Sequence, residues 1–364
     1  MRILQICSAR EIGGGEKHLA DLANMLSRRG HVVFAALSPG SAVRPLLPSI
    51  SDDNIFEAPM RNALNLATAV KLSRFVSHKR IDIVHAHVAR DYPLAALAAG
   101  RSPARLVLTR HVLFPVSGIH RLTRRRTARV IAVSEAVAEA LRTQGIFAAD
   151  KITVIHNGID LSRFSPRERS ESRSMIRVGM VGHLAEIKGQ ADFVQAAALV
   201  CAQRTDVEFV IAGEDKSKSG ENRRRLEKLI AELGVAGRLH LQGWVEDIPE
   251  LLSTFDLFVS PARSEPFGLS IVEAMAAGVP VIATMSEGAR EILRDGETGR
   301  MVPINDVPAL AQAMLSLIDN PAQRSAMAQQ ARADVRARFS LEEMVTRTES
   351  VYADVISGQG NRQD

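Results

Sequence analysis

A chain of 364 residues with 46% hydrophobic residues is long for one core and comfortable for two domains. Its two cysteines, Cys7 and Cys201, lie in apolar contexts, which excludes a disulfide framework or a cysteine metal site and fits core thiols of a cytoplasmic protein. The net charge of +5 conceals an asymmetry: residues 1–170 carry 25 Lys and Arg against 13 Asp and Glu, and the remainder 21 against 28. A basic first half predicts an anionic partner on that side only.

The opening run is too short for the core of a signal peptide, and no stretch nears 18 uninterrupted apolar residues, so neither a leader nor a spanning helix is expected. Arg2–Cys7 reads as a strand. Gly13, Gly14, Gly15 and Glu16 follow, then a helical pattern from Lys17 to Arg29 and a strand from His31 to Leu37. The glycine run is neither a dinucleotide fingerprint nor a P-loop. It reads as a tight turn or as a loop whose amides approach a phosphate.

Ile81–His87 reads as a strand with His85 and His87 on one face by period two. A metal role for that pair lacks a third ligand nearby in sequence. Arg105–Thr109 is a further strand that delivers Arg110 and His111. Arg121, Arg124, Arg125, Arg126 and Arg129 then place five arginines in nine residues. They read as a solvated helix face, or as a surface for an anionic membrane or a phosphorylated acceptor, at about 1 kcal/mol per basic residue near an anionic bilayer. No helix-turn-helix, zinc-finger or stacking-aromatic pattern accompanies them, and nucleic acid is not expected as a partner.

Ser165–Ser174 is polar and reads as an interdomain linker. Beyond it come a strand from Ile176 to Gly182, a helix to Cys201 and a strand from Val207 to Gly213. A charged helix from Asn222 to Gly234 and a strand from Leu239 to Val245 follow. From Pro308 onward the pattern is mostly helical. Between these lies a strand, loop, helix, strand unit from Asp256 to Thr284, with its loop at the carboxyl end of a strand, where open α/β sheets bind ligands. Glu265 sits in that loop and Glu273 about one turn into the helix, with seven residues between them. Glu273 reads as a helix-stabilising carboxylate, or the pair accepts hydrogen bonds from ligand hydroxyls while amides from Phe267, Gly268, Leu269 and Ser270 face an anion. Spacing alone leaves both readings open.

The run SEPFGLSIVEAMAAGVPVIAT resembles the donor-sugar motif of retaining glycosyltransferases of the GT-B fold, family 4. The segments VIAVSE, VIHNGID, the Lys188-Gly189 pair and IAGED resemble further motifs of that family in the same order. The resemblance covers nearly the whole chain, most closely over residues 178–303. It implies an α/β fold of two doubly wound, parallel-sheet Rossmann-like domains facing a cleft. The expected domains are residues 1–165, with a helix at 340–358 returning onto them, and residues 176–339.

By this resemblance, Glu273 would bind ribose hydroxyls, Glu265 sugar hydroxyls, and Lys188 the diphosphate. His111 would bond the donor sugar, and Gly14 and Gly15 would approach the phosphates. Trp244 and Val245 would border the base through backbone atoms, with Gly213 beside them. His87, Arg110 and Glu16 fall on the acceptor side. At the second phosphate-clamping position the family usually has arginine, whereas this chain has His183, which lacks a bidentate fork and is only partly charged at neutral pH.

The implied activity is retaining transfer of a hexose-type sugar from a nucleoside-diphosphate donor, uridine favoured and guanosine the alternative. The acceptor would be a glycan or lipid-linked hydroxyl in cell-envelope synthesis. The enzyme would be cytoplasmic, with peripheral contact to the inner membrane face. No cofactor is expected, and no metal, since the Asp-x-Asp of metal-dependent transferases is absent. A nucleotide-sugar epimerase and a non-catalytic binding module are the rival readings. A glycan phosphorylase would need a far longer chain.

Overall fold

A computed structural model describes residues 1–60, 65–164 and 175–358 of the chain. The expected linker, Ser165–Ser174, lies outside the described residues. The chain divides into two compact units. Met1–Gly158 is joined by the C-terminal helix Leu341–Ser357, and Ile159–Ser340 forms the other unit.

The N-terminal unit is built on a seven-stranded parallel sheet among the described residues. Its strands are β1 (Arg2–Cys7), β2 (Val32–Leu37), β3 (Ile55–Glu57), β4 (Ile83–Ala86), β5 (Arg105–Arg110), β6 (Thr127–Ala132) and β7 (Ile152–Val154). The spatial order is β3-β2-β1-β4-β5-β6-β7. Central strands covered on both faces are mostly apolar, and β1 and β4 depart from this only where the buried Gln5 and His85 have hydrogen-bond partners. The helix Gly14–Arg28 buries Leu19, Leu22, Ala23 and Leu26, spaced three and four apart on one face, in the core that also holds Ile3, Val33 and Val107.

The helix Leu341–Ser357 enters the same core through Leu341, Met344, Val345, Val351, Tyr352 and Val355. Six such side chains contribute on the order of 10 kcal/mol of burial before chain entropy is subtracted. That is enough to hold a terminal helix on its unit.

The C-terminal unit carries β8 (Ile176–Val181), β9 (Val207–Ala212), β10 (Leu239–Gly243), β11 (Leu257–Ser260), β12 (Val281–Thr284) and β13 (Arg300–Val302). They form a parallel sheet ordered β10-β9-β8-β11-β12-β13. Every residue of β11 and β12 is buried, whereas the edge strand β10 alternates. In both sheets the order reverses beside the first strand: between β1 and β4, and between β8 and β11. Loops leaving the carboxyl ends of those strands diverge there and open the crevice in which such sheets take ligands.

One expectation needs correction. The arginines from Arg121 to Arg129 do not share a helix face. Arg121 lies in a 3-10 turn, Gly118–Leu122; Arg124, Arg125 and Arg126 are in the exposed turn after it; and Arg129 belongs to β6. The turn forms because Thr123 and Thr127 are buried and their hydroxyls bond the carbonyls of His120 and Thr123.

Candidate active site

In the C-terminal unit the loops after β8 and β11 meet. Lys188 ends the 3-10 turn Glu186–Lys188, and its Nζ donates to Glu265 Oε2 at 2.5 Å. Gly189 explains why a glycine follows the lysine. Its φ is +72°, and a Cβ there would stand 2.0 Å from the Pro261 carbonyl oxygen. Only glycine gives both the left-handed turn and the close approach of the two loops. The helix Gln190–Cys201 starts immediately afterwards.

Sequence reasoning missed what ties these loops together. The Arg263 N–H donates to the Ile187 carbonyl at 2.9 Å, and its guanidinium reaches Glu186 at 3.1 Å and Asp192 at 3.2 Å. The Glu265 N–H donates to Glu287 Oε2 at 3.1 Å, and the Gly288 N–H donates to the Glu265 carbonyl at 2.8 Å. A Cβ on Gly288 would collide with the Phe267 carbonyl. One signal was available: Asp192 sits in a helix that is apolar from Phe193 onward apart from Gln195, and a carboxylate buried there needs a cation.

Gly268, at φ +111°, starts the helix Leu269–Ala276, which has no side-chain cap, so its first N–H groups face the loop. Phe267 is buried, and Glu273 is the half-buried fifth residue of the helix. The Gly213 N–H donates to the Gly243 carbonyl at 2.7 Å at the ends of β9 and β10. A Cβ on Gly213 would meet the Gly182 carbonyl at 1.9 Å, so the glycine lets the strand ends close together. Trp244, 55% exposed, and the half-buried Val245 extend from the same edge. His183 is exposed, its carbonyl held by Gln190 Nε2 at 3.0 Å. Partial burial, then the nearby Lys188 and Lys216, lower its pKa. It is therefore mostly neutral at pH 7, unlike an arginine.

The N-terminal unit gathers a different set at its own crevice. His87 follows β4, His111 follows β5, and His18 projects from the helix Gly14–Arg28. The ring centroids of His18 and His111 lie 4.8 Å apart, and those of His87 and His85 4.2 Å apart. A Cβ on Gly15 would approach the His111 ring to 3.3 Å, so this glycine admits the imidazole.

A hydrogen-bond chain orients the group. Gln5 Nε2 donates to Tyr352 Oη at 3.4 Å, Tyr352 Oη shares a hydrogen bond with His85 Nδ1 at 2.6 Å, and His85 Nε2 shares another with Thr109 Oγ1 at 2.7 Å. Gln5 then presents Oε1 to His87 Nε2–H at 2.7 Å. Burial keeps all four rings neutral, reinforced at His85, His87 and His111 by the neighbouring rings. His18 is lowered to about 4 and His85 to about 3, and His87 and His111 fall well below the usual range. His18 Nδ1, His87 Nδ1 and His111 Nε2 are buried without a hydrogen-bond partner. Each such atom costs about 1–3 kcal/mol.

Glu16 takes the Gly13 N–H at 3.0 Å and so closes the helix N-terminus. Gly14 and Gly15 are the first residues of that helix, not a free loop. Arg110 is buried and donates to the Phe114 carbonyl. Asp91, unremarked in the sequence, is buried with its carboxyl raised to about 6 by that burial, and it accepts the Ser8 N–H at 2.8 Å. It fixes the loop after β1. Among the described residues no helix is long and apolar enough to cross a membrane.

Two family profiles match adjoining parts of the chain: Glycosyltransferase Family 4 over residues 12–163 and Glycosyl transferases group 1 over residues 164–334. The chain is 28% identical to the phosphatidyl-myo-inositol mannosyltransferase of Mycobacterium tuberculosis, covering 99% of this chain and 98% of that one. It is likewise 28% identical to the lipopolysaccharide core biosynthesis glycosyltransferase LpsE of Rhizobium meliloti, over 91% and 93%. The crystal structure of Anabaena HepE in complex with UDP and glucose superposes with a TM-score of 0.84 at 26% identity, covering 97% of this chain and all of that one. The paired crevices, the Lys188–Glu265 contact and these matches lead to one assignment: the chain belongs to the GT-B glycosyltransferases of family 4.

Proposed function

We propose that the protein moves a hexose-type sugar from a nucleoside-diphosphate sugar, uridine favoured over guanosine, to a hydroxyl of a glycan or lipid-linked acceptor, with retention of anomeric configuration. The observation that carries this reading is Lys188 paired with Glu265 at the crevice of β8 and β11, beside the uncapped helix that bears Glu273. The HepE complex with UDP and glucose supports the uridine donor. The mannosyltransferase and LpsE relatives support a cell-envelope or glycolipid acceptor.

The chemistry follows from the charges that develop. The bond between the anomeric carbon and the diphosphate oxygen breaks, leaving negative charge on the diphosphate and positive charge on the sugar. Lys188 and the first amides of the helix Leu269–Ala276 stabilise the former, the largest catalytic term in such reactions. The acceptor oxygen bonds the anomeric carbon on the face the diphosphate leaves, and its proton passes to the departing phosphate oxygen. Glu265 orients sugar hydroxyls, and Glu273 holds the ribose. Since Lys188 and the amides meet the developing charge, this step requires no metal.

The N-terminal unit supplies the acceptor side through His87, Arg110 and Glu16, with His111 toward the transferred sugar. Its exposed Arg121, Arg124, Arg125 and Arg126 lie in the stretch that also exposes Phe114 (70%) and Leu122 (73%). Basic and apolar groups together suit the face of an anionic membrane. The test is release of nucleoside diphosphate from UDP-glucose and related donors, with and without membrane lipid extract. Acceptor-dependent release with an α-linked product from an α-donor is expected. Conversion of the donor to an isomer without acceptor would replace transfer with epimerisation.

A further inference from the structure

We propose that His18, His87 and His111 form a binding site for a zinc-class divalent cation in the N-terminal unit. The sequence offered only His85 and His87, without a third ligand. The fold supplies His18 from the first helix and His111 from the end of β5, and His85 drops out because both its nitrogens are bonded. One nitrogen from each of His18, His87 and His111 lies within 4.8 Å of the others. Three nitrogens of these same rings, His18 Nδ1, His87 Nδ1 and His111 Nε2, are buried without partners.

Zn–N bonds of about 2.0–2.1 Å in tetrahedral geometry set nitrogens about 3.3 Å apart, so small ring rotations close the site on a cation. Gln5 does for His87 what an outer-shell acceptor does in metalloproteins. By taking the Nε2–H at 2.7 Å, it leaves His87 Nδ1, which has no hydrogen-bond partner, as the nitrogen with a free lone pair. Three neutral imidazoles with no carboxylate favour zinc, copper, nickel or cobalt over magnesium or calcium. Three protein ligands leave a fourth position open. The site belongs to the N-terminal unit and Lys188 to the C-terminal one; because His87 and His111 also have proposed roles toward acceptor and sugar, the test reads cation binding by absorption and not by turnover.

The full-length chain, stripped with EDTA and dialysed into a non-chelating buffer, is titrated with Co²⁺ and then Zn²⁺ while visible absorption is recorded. One equivalent of Co²⁺ should produce the intense bands of a four-coordinate site, and Zn²⁺ should abolish them. His111→Gln, at the half-buried member, should weaken binding at least tenfold, and Gln5→Met about 10- to 100-fold through the His87 tautomer. His240→Ala, exposed in the other unit, should leave the bands unchanged. Circular dichroism confirms that each variant folds. Only the weak spectrum of six-coordinate cobalt in the unsubstituted protein would overturn the site, a result that needs no variant. Bands insensitive to His111→Gln in a folded variant would overturn it equally.

Discussion

Lys188 Nζ and Glu265 Oε2 stand 2.5 Å apart, joined across the loops that leave β8 and β11. Both side chains are largely buried, at 22% and 13% exposure, so each screens the other's charge before any substrate arrives. On the proposed reading, the donor diphosphate would take the lysine from the carboxylate and leave the carboxylate for the sugar. Lys188→Ala should lower kcat by about 10²-fold or more. Steady-state kinetics with saturating donor checks this, and unchanged turnover would remove Lys188 from the chemistry.

Gly189→Ala tests how the loop places that lysine. The left-handed backbone alone costs a non-glycine residue about 1–2 kcal/mol, and the new Cβ must also clear the Pro261 carbonyl. Thermal denaturation should show a Tm several degrees lower, with kcat reduced as Lys188 shifts from Glu265. An unperturbed Tm would mean that the loops relax freely.

His183 makes a pH prediction. Its pKa lies below the ordinary 6.5, so the ring is neutral at pH 7 and charged only in more acidic solution. A bound diphosphate favours the protonated ring and raises that pKa, so binding takes up a proton. Nucleoside-diphosphate affinity should therefore rise as pH falls from 7 toward 5.5. His183→Arg, charged throughout, should flatten this dependence and tighten binding at pH 7 about fivefold, the ~1 kcal/mol of an exposed charge pair. Calorimetry at three pH values decides it; a parallel pH dependence in both proteins would place His183 away from the phosphates.

Replacing Arg124, Arg125 and Arg126 by glutamine should weaken sedimentation with anionic liposomes by at least tenfold, at about 1 kcal/mol per charge. Donor turnover with a soluble acceptor should be spared. Equal sedimentation of the two proteins would leave these arginines as solvated surface.

Much of this was legible because parallel strands buried on both faces are mostly apolar. β1, β8, β11 and β12 lie within the segments that their apolar runs mark. Lys188-Gly189 and the two glutamates were legible as motifs, although only the fold shows that Gly189 is needed because the distant Pro261 carbonyl packs against it. Helix Tyr92–Ala99 was illegible because seven of its eight residues are buried, leaving no amphipathic period to detect. The arginine run was misread as helical because charge patterning cannot see buried Thr123 and Thr127. The histidine cluster escaped notice for the opposite reason. Its members are far apart in sequence, and only the parallel topology brings the ends of β4 and β5 to the first helix.

The most direct test of the donor site is thermal shift against a panel of nucleotides and nucleotide-sugars, for the natural chain and for Glu273→Ala. A ligand at 100 times its Kd stabilises the fold by about 2.7 kcal/mol, which raises Tm visibly. One nucleotide, uridine diphosphate first, should stand out, and Glu273→Ala should abolish its shift. A chain unmoved by every nucleotide, or a shift that survives Glu273→Ala intact, would contradict the donor site at β8 and β11.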